Sequence, residues 1–295
     1  MIEAGRCRLL RHDQAIASGY LGAWNMAVDE MLLERAQGRA AACLRFYRWN
    51  EPTLSLGYFQ TYADRQEHPP SLRCPAVRRL TGGGAILHDA ELTYSIVLPG
   101  GHPLAAHRDE LYRAVHGALI EALARLGIAA GSCMATEKTG ADKIATARQP
   151  FLCFQRRSPG DVLIGPTKVC GSAQRRGAAG TPRAPGAPRA PGTPRAPGTP
   201  GGGAVLQHGS LLWRASAAAP ELRGVADIAG HPIELEDAAD LWLGGLSGRL
   251  GLGWQSDDLD ETEVRRAEAL VKSRYAWENW TENRAPAAHS SQETL

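Results

Sequence analysis

Between Gly177 and Gly203 the chain holds almost nothing that can be built into a packed element, and this limits what the segments around it can become. Residues 181–198 repeat a hexad three times, TPRAPG, APRAPG and TPRAPG, inside a wider Gly/Pro/Ala-rich stretch. Proline at this density lacks the N–H groups that a helix or a β-ladder requires, and few of the side chains are worth burying. A solvated, partly polyproline-like loop is therefore expected. The flanking segments read as consecutive strands of one sheet: DVLIG (161–165) and KVCGSAQ (168–174) before it, AVLQHGSLLW (204–213) after it. Lengthening a hairpin loop from ~4 to ~27 residues costs only about 2 kcal/mol, so the site beside it need not be disturbed. Arg183, Arg189 and Arg195 give the insert evenly spaced charge that could steer an acidic partner, although an inert low-complexity insertion is the favoured reading.

The rest of the chain mixes the two periodicities without a regular βαβ alternation. Helical spacing over 24–36 (WNMAVDEMLLERA) predicts an amphipathic helix stopped at Gly38, and a second helix runs over 109–126 and ends at Gly127. CLRFYRW (43–49) and TLSLGYF (53–59) read as two strands and a turn, and LTYSIVL (92–98) as another strand. Asp260 and Glu263 resemble a capping box that opens a C-terminal helix through Tyr275. The expected class is α+β, a sheet covered by helices rather than a doubly wound fold. Residues 1–250 are expected to form the catalytic domain, with 177–203 as an inserted loop, and 251–295 a C-terminal helix and frayed tail.

With 43% hydrophobic and 22% charged residues, 295 residues suffice for a sizeable core. A net charge of +2 is too small to argue for nucleic acid. No apolar run approaches the ~18 residues of a membrane span, and MIEAGRCRLLRHD lacks the apolar segment of a secretory signal, so a cytoplasmic, non-membrane protein is expected. The six cysteines are scattered, with no CxxC pair and no zinc-type spacing, so no metal site is expected. In a reducing compartment each is a free thiol, either packing or chemistry.

Two stretches carry the chemistry. In RRLTGGGAILHDAELTYS (78–95), Gly82, Gly83 and Gly84 follow Arg78, Arg79 and Thr81; such a backbone can let a ligand approach its N–H groups while the arginines supply positive charge. It matches neither GxGxxG nor a P-loop, and a bare GGG is more often a flexible turn. In FLCF (151–154) a cysteine sits among apolar neighbours, and residue type alone favours core packing. Lys168 lies fifteen residues on. A free cysteine, with a pKa of about 8.5, is only a few per cent thiolate at neutral pH, and a nearby ammonium would favour the reactive form.

RRLTGGGAILHD resembles the RRxTGGGxxxHD signature of the biotin/lipoate protein ligase and lipoyl transferase superfamily. GPTKVCGSAQRR and AVLQHGSLLW look like its second and third signatures, and the resemblance covers most of residues 20–215. It implies a mixed, largely antiparallel sheet flanked by helices, whose floor binds an acyl group and whose product is an acylated lysine on a carrier domain. HDAELTYS departs from the HDxGN segment typical of the ATP-dependent ligases, and the Cys-Phe dipeptide upstream of GxKxxGSAQ is similar to the cysteine-dependent, LipM-type octanoyl transferases.

The resemblance implies transfer of octanoyl from acyl carrier protein, through a Cys153 thioester, to a lysine of a lipoyl domain such as that of glycine cleavage H protein. Exchange of one thioester for another needs no ATP, so no cofactor is expected. A monomer is expected, although nothing in the sequence fixes the oligomeric state. Cys153 and Lys168 are the expected catalytic pair. Arg79, Thr81, Gly82, Gly83, Gly84, His88, Gly171, Ser172, Gln174, His208 and Gly209 are the expected substrate-binding residues, with N–H groups near Gly82–Gly84 or Gly171 as oxyanion donors. Cys170 shares the face of Lys168 by simple alternation and is the main rival nucleophile, though strand packing explains it. His88 and His208 could be structural, Lys138 and Lys143 are expected to be solvated, and Asp89 lacks the partners of a metal site. The alternatives are an ATP- and Mg-dependent lipoate ligase, an octanoyl or lipoyl amidotransferase between carrier domains, and a non-catalytic acyl-binding protein whose entrance the insert has closed.

Overall fold

The computed structural model describes residues 5–12, 22–37, 41–134, 149–177 and 203–285. The hexad insert, Gly38, Lys138, Lys143 and the final residues lie outside the described residues. Strands β1 (Gly5–His12), β2 (Ala42–Tyr47), β6 (Glu91–Leu98), β7 (Ala130–Ser132), β8 (Val162–Ile164), β9 (Thr167–Arg176), β10 (Val205–Leu212) and β11 (Leu252–Ser256) form one sheet in the order β11-β1-β2-β6-β10-β9-β8-β7. Pairing is parallel from β11 through β1 to β2 and antiparallel at every other step, which is the mixed, largely antiparallel sheet that was expected. Strands β3 (Thr53–Leu56), β4 (Ala76–Arg78) and β5 (Ile86–His88) form a smaller sheet in the order β4-β3-β5.

Alternation along the central strands sends side chains into two separate cores. From β2, Leu44 and Phe46 enter the core packed by α2 (Arg108–Arg125) and α4 (Leu235–Leu250), while Cys43 and Tyr47 face the core packed by α1 (Gly22–Gln37) and α5 (Glu261–Leu270). Short helices α3 (Val225–Ile228) and α6 (Glu278–Asn283) complete the set. The sheet is thus sandwiched between helices, and both faces of its middle strands are buried.

Three expectations are refined. β9 and β10 do pair across the insert, and Gly177 N donates to Ala204 O (2.8 Å) at the last step before it. β2 and β3 form no hairpin: the chain crosses at 50–52 from the large sheet to the small one. Helix α1 is buried nearly all round rather than amphipathic, because its polar residues Asn25 and Asp29 turn inwards to the buried Arg45 of β2. The segment after residue 250 supplies an edge strand to the main sheet, with β11 lying on β1 and α5 on α1.

Candidate active site

The FLCF stretch is seated on the glycine loop by backbone pairing. Ala85 N donates to Phe151 O (3.0 Å) and Cys153 N to Ala85 O (2.7 Å), after which Cys153 opens a short 3-10 turn through Gln155. Phe151 and Leu152 are buried with Leu54, Leu56 and Leu87 of the small sheet, and Phe154 packs on Ile86 and Leu212. These apolar neighbours anchor the loop instead of lining the cavity mouth, and Cys153, half-buried, is the one residue of the four that reaches the cavity wall. Close approach fixes Gly84: a β-carbon there would come within 3.0 Å of the Cys153 Cα.

Lys168 meets that cysteine from β9. Its Nζ lies 3.5 Å from Cys153 Sγ and 3.3 Å from Cys153 O, and forms an ion pair with Asp161 Oδ2 at 2.9 Å. Three ammonium protons thus face three acceptors. Burial opposes the charge on Lys168, but the negative charges of Cys153 and Asp161 outweigh it and hold the pKa above the usual lysine value. The ammonium lies across Gly171, whose missing side chain makes room for it.

Cys170 does not share this face. The β8–β9 register jumps from Leu163↔Lys168 to Val162↔Cys170, and that bulge turns Lys168 to the site while Cys170 enters the main core. Burial pushes the Cys170 thiol far above its ordinary range and so disfavours its thiolate.

An opening lies beside Cys153. Of the expected binding residues, Arg79, Gly82, Gly83, His88, Gly171, Ser172, His208 and Gly209 line it, together with Met26, Tyr47 and Ile86. Thr81 and Gly84 stand just behind this wall, bound to His208 and to the cysteine loop. Gln174 is further away, donating to Gln207 Oε1 (2.7 Å) and Arg108 O (3.0 Å), and orders β9 against β10 and α2. Gly83 has φ 98, a left-handed conformation that glycine adopts without cost.

The two arginines are not aimed at a ligand. Arg79 donates to Ser55 O and Oγ, Gly82 O and Gly84 O, and Arg78 to the carbonyls of Gly57, Tyr58, Gln60 and Thr281. Their charge braces the glycine loop by saturating buried carbonyls. Both histidines are built into polar chains. His208 joins Thr81 Oγ1 (2.6 Å) to Asp29 Oδ2 (3.0 Å), and Asp29 also takes the Tyr47 hydroxyl and Arg45. His88 stacks on Trp49, donates to Glu91 Oε1 (2.5 Å) and meets Ser55 Oγ (2.7 Å); burial lowers its pKa and keeps it neutral.

Asp161, Asp29, Glu91 and His116 contact the candidate site residues, and the sequence reading did not assign them. Asp161 had a usable signal: β8 and β9 turn tightly at Gly165 (φ 55) and Pro166, and a register drawn through that turn brings 161 back towards the lysine strand. Asp29 bonds Arg45, Tyr47 and His208 on elements far away in sequence, and nothing local announces it, whereas Glu91 bonds its near neighbours His88 and Thr93 as well as Ser210 across the sheet.

Residues 22–182 match the model of the lipoyl protein ligase A/B catalytic domain. An octanoyltransferase LipM from Symbiobacterium thermophilum is 30% identical over 292 residues, covering 88% of this chain and 93% of that protein. The LipM of Moorella thermoacetica is 37% identical over 196 residues, 64% of this chain and 60% of that one. Among solved structures, lipoate-protein ligase A bound with ATP superposes with a TM-score of 0.64 at 20% identity, covering 96% of this chain and 100% of that one. The bipartite lipoate protein ligase of Thermoplasma acidophilum gives 0.65 at 20%, covering 97% and 99%. At that identity the two structures speak for the fold, which agrees with the family match and the full-length relatives: this chain belongs to the lipoyl protein ligase A/B catalytic-domain family.

Proposed function

We propose that this chain is an octanoyl transferase of lipoate biosynthesis that works through a thioester on Cys153. The observation that carries the reading is the Lys168 ammonium 3.5 Å from a half-buried cysteine sulfur at the wall of the opening. A ligase that activates a free acid with ATP has no use for that pair, whereas a thiolate nucleophile does. The full-length relatives are octanoyltransferases.

In the first half-reaction Cys153 attacks the octanoyl thioester of acyl carrier protein. A carbon–sulfur bond forms to the enzyme, and the carrier thiol leaves with a proton. The exchange is nearly neutral in free energy, so no ATP is required. In the second, the amine of a lipoyl-domain lysine attacks the enzyme thioester, an amide forms, and Cys153 is released. Lys168 stabilises negative charge on the sulfur as nucleophile and again as leaving group. Backbone N–H groups of the Gly82–Gly84 loop are the proposed oxyanion donors. The protein acts as a monomer in the cytoplasm.

Mass spectrometry after incubation with octanoyl acyl carrier protein tests this. A hydroxylamine-labile octanoyl adduct is expected on Cys153 in the wild type and absent in Cys153→Ser. An adduct that persists in the variant, or acceptor modification that needs ATP and free octanoate, would overturn the reading.

A further inference from the structure

The pair that makes the thioester also threatens it. Once Cys153 is acylated, the octanoyl carbonyl carbon stands one bond beyond a sulfur that lies 3.5 Å from Lys168 Nζ. A neutral amine at that distance is an intramolecular nucleophile, and well-placed intramolecular reactions reach effective concentrations of about 10⁵ M or more. Attack by Lys168 would form a C–N bond, break the C–S bond and pass the amine proton to the departing thiolate. The product, an octanoyl amide on Lys168 beside a free Cys153 thiol, is a stable dead end. An ammonium has no lone pair and cannot take this path.

Acylation itself removes one of the groups that keep Lys168 charged, because a thioester sulfur is neutral where the thiolate was negative. The ammonium is then a buried cation, 5% exposed, against the ring of Phe154. Burial of this kind favours the neutral amine. The titratable groups around it are Cys153, Asp161, Cys170 of its own strand, and His116 and Tyr112 of α2. His116 is held neutral by burial, with Nδ1 donating to Gly160 O (2.6 Å) and Nε2 taking the Ser172 hydroxyl (2.6 Å). Burial likewise keeps the Cys170 thiol and the Tyr112 phenol protonated. Asp161 is the carboxylate in contact with the ammonium among the described residues, at 2.9 Å, and it is itself buried and fixed by the Ser158 N–H (2.7 Å).

We propose that Asp161 protects the acyl-enzyme: by holding the Lys168 ammonium in an ion pair after Cys153 is acylated, it prevents transfer of the octanoyl group from sulfur to the neighbouring lysine. Asp161 is a positioning residue that acts through Lys168, and the proposal rests on the thioester reading above.

The test stops the full chain at the first half-reaction, with octanoyl acyl carrier protein and no acceptor, and maps adducts before and after hydroxylamine. Wild type at neutral pH is expected to carry a labile adduct on Cys153 and almost none on Lys168. Asp161→Asn keeps an oxygen for the Ser158 N–H but loses the charge. It is expected to accumulate a hydroxylamine-resistant octanoyl group on Lys168 at least about tenfold faster, since each unit of lowered lysine pKa raises the free-amine fraction about tenfold. The resistant adduct should grow with pH and vanish in Asp161→Asn/Lys168→Arg, whose guanidinium stays charged. Should Asp161→Asn not fold, the wild-type pH series decides alone, because the resistant adduct must appear on Lys168 as alkali removes the ammonium proton. Labile adduct on Cys153 without any resistant adduct on Lys168, in the variant or in alkali, overturns the proposal. No adduct on Cys153 in the wild type overturns the thioester reading and this proposal with it.

Discussion

A β-carbon added at Gly171 would lie 2.6 Å from Cε and 2.8 Å from Nζ of Lys168, whereas one at Gly209 would meet Gly171 O at 2.5 Å and Ser172 Oγ at 2.3 Å. The difference predicts two distinct phenotypes. The end of a lysine side chain can move without shifting backbone, so Gly171→Ala should lose less stability than Gly209→Ala, its loss being that of the strained Lys168–Asp161 pair, while the ammonium leaves the sulfur. Octanoyl transfer should then fall about 100-fold, since small misplacements at a reacting centre cost that much. At Gly209 the obstacle is the backbone of a paired strand, so Gly209→Ala should lose several kcal/mol in urea unfolding, as overpacking of a rigid site does. Equal stability losses in the two variants would refute this account. The same scale shows what could be read without coordinates. Spacing and the surrounding motifs were enough to link Cys153 with Lys168. They could not show that a bulge turns Cys170 away from the lysine, nor that the charges of Arg78 and Arg79 are spent on carbonyls.

Helix α5 begins with a reciprocal cap, Glu263 N donating to Asp260 Oδ1 (2.8 Å) and Asp260 N to Glu263 Oε2 (3.0 Å), as the DETE stretch had indicated. The fold adds a partner to each residue, an exposed one for Asp260, which accepts from Arg35 Nη1 (3.1 Å), and a buried one for Glu263. The Glu263 side chain is fully buried and accepts both ends of the Arg8 guanidinium from β1, at 2.5 and 2.9 Å, while Asp260 stays largely exposed. Asp260→Ala should therefore cost about 1 kcal/mol, the usual value of a lost cap. Glu263→Ala should cost about 3 kcal/mol, because it also strips a partly buried arginine of a partner. Urea midpoints rank the two, and an Asp260→Ala variant as unstable as Glu263→Ala would sink the argument. Elements with strong local signals, such as α2 and the β8–β9–β10 run, were legible in the sequence. Helix α4 was not: Gly244 and Gly245 lower its intrinsic propensity, and a β-carbon at Gly245 would make only ordinary contact with Ala118 of α2, so packing does not explain the glycine. Strands β1 and β11 pair in parallel across some 240 residues of chain, which no short-range pattern reveals.

Across the whole molecule the two faces of the sheet do different work. The α2/α4 side is mostly apolar packing, while the α1 side carries the cavity and the buried Asp29, Arg45 and His208 chain. Imidazoles tie distant parts of this arrangement together: half-buried His12 of β1 accepts from Arg45 Nε (3.0 Å), buried His88 of β5 bonds Glu91 and Ser55, and buried His116 of α2 bonds Gly160 and Ser172. Burial lowers all three, His12 to about 4, so each is neutral in the folded protein. In the unfolded chain a histidine titrates near 6.5, so below that pH the unfolded state binds protons that the folded state refuses. The sign follows directly. Their contribution to stability is fully present above about pH 6.5 and is lost as the pH falls from there towards the folded values, at up to about 1.4 kcal/mol per pH unit for each. Urea midpoints should therefore hold steady from about pH 8 to 7 and drop steeply between 6.5 and 5. His116→Gln keeps a donor and an acceptor but does not titrate, so it should flatten that acid slope measurably, with His12, His88 and His102 supplying the rest. A wild-type midpoint that is level down to pH 5 would mean that these imidazoles take up protons inside the fold, and the neutral hydrogen-bond chains assigned to them would be wrong.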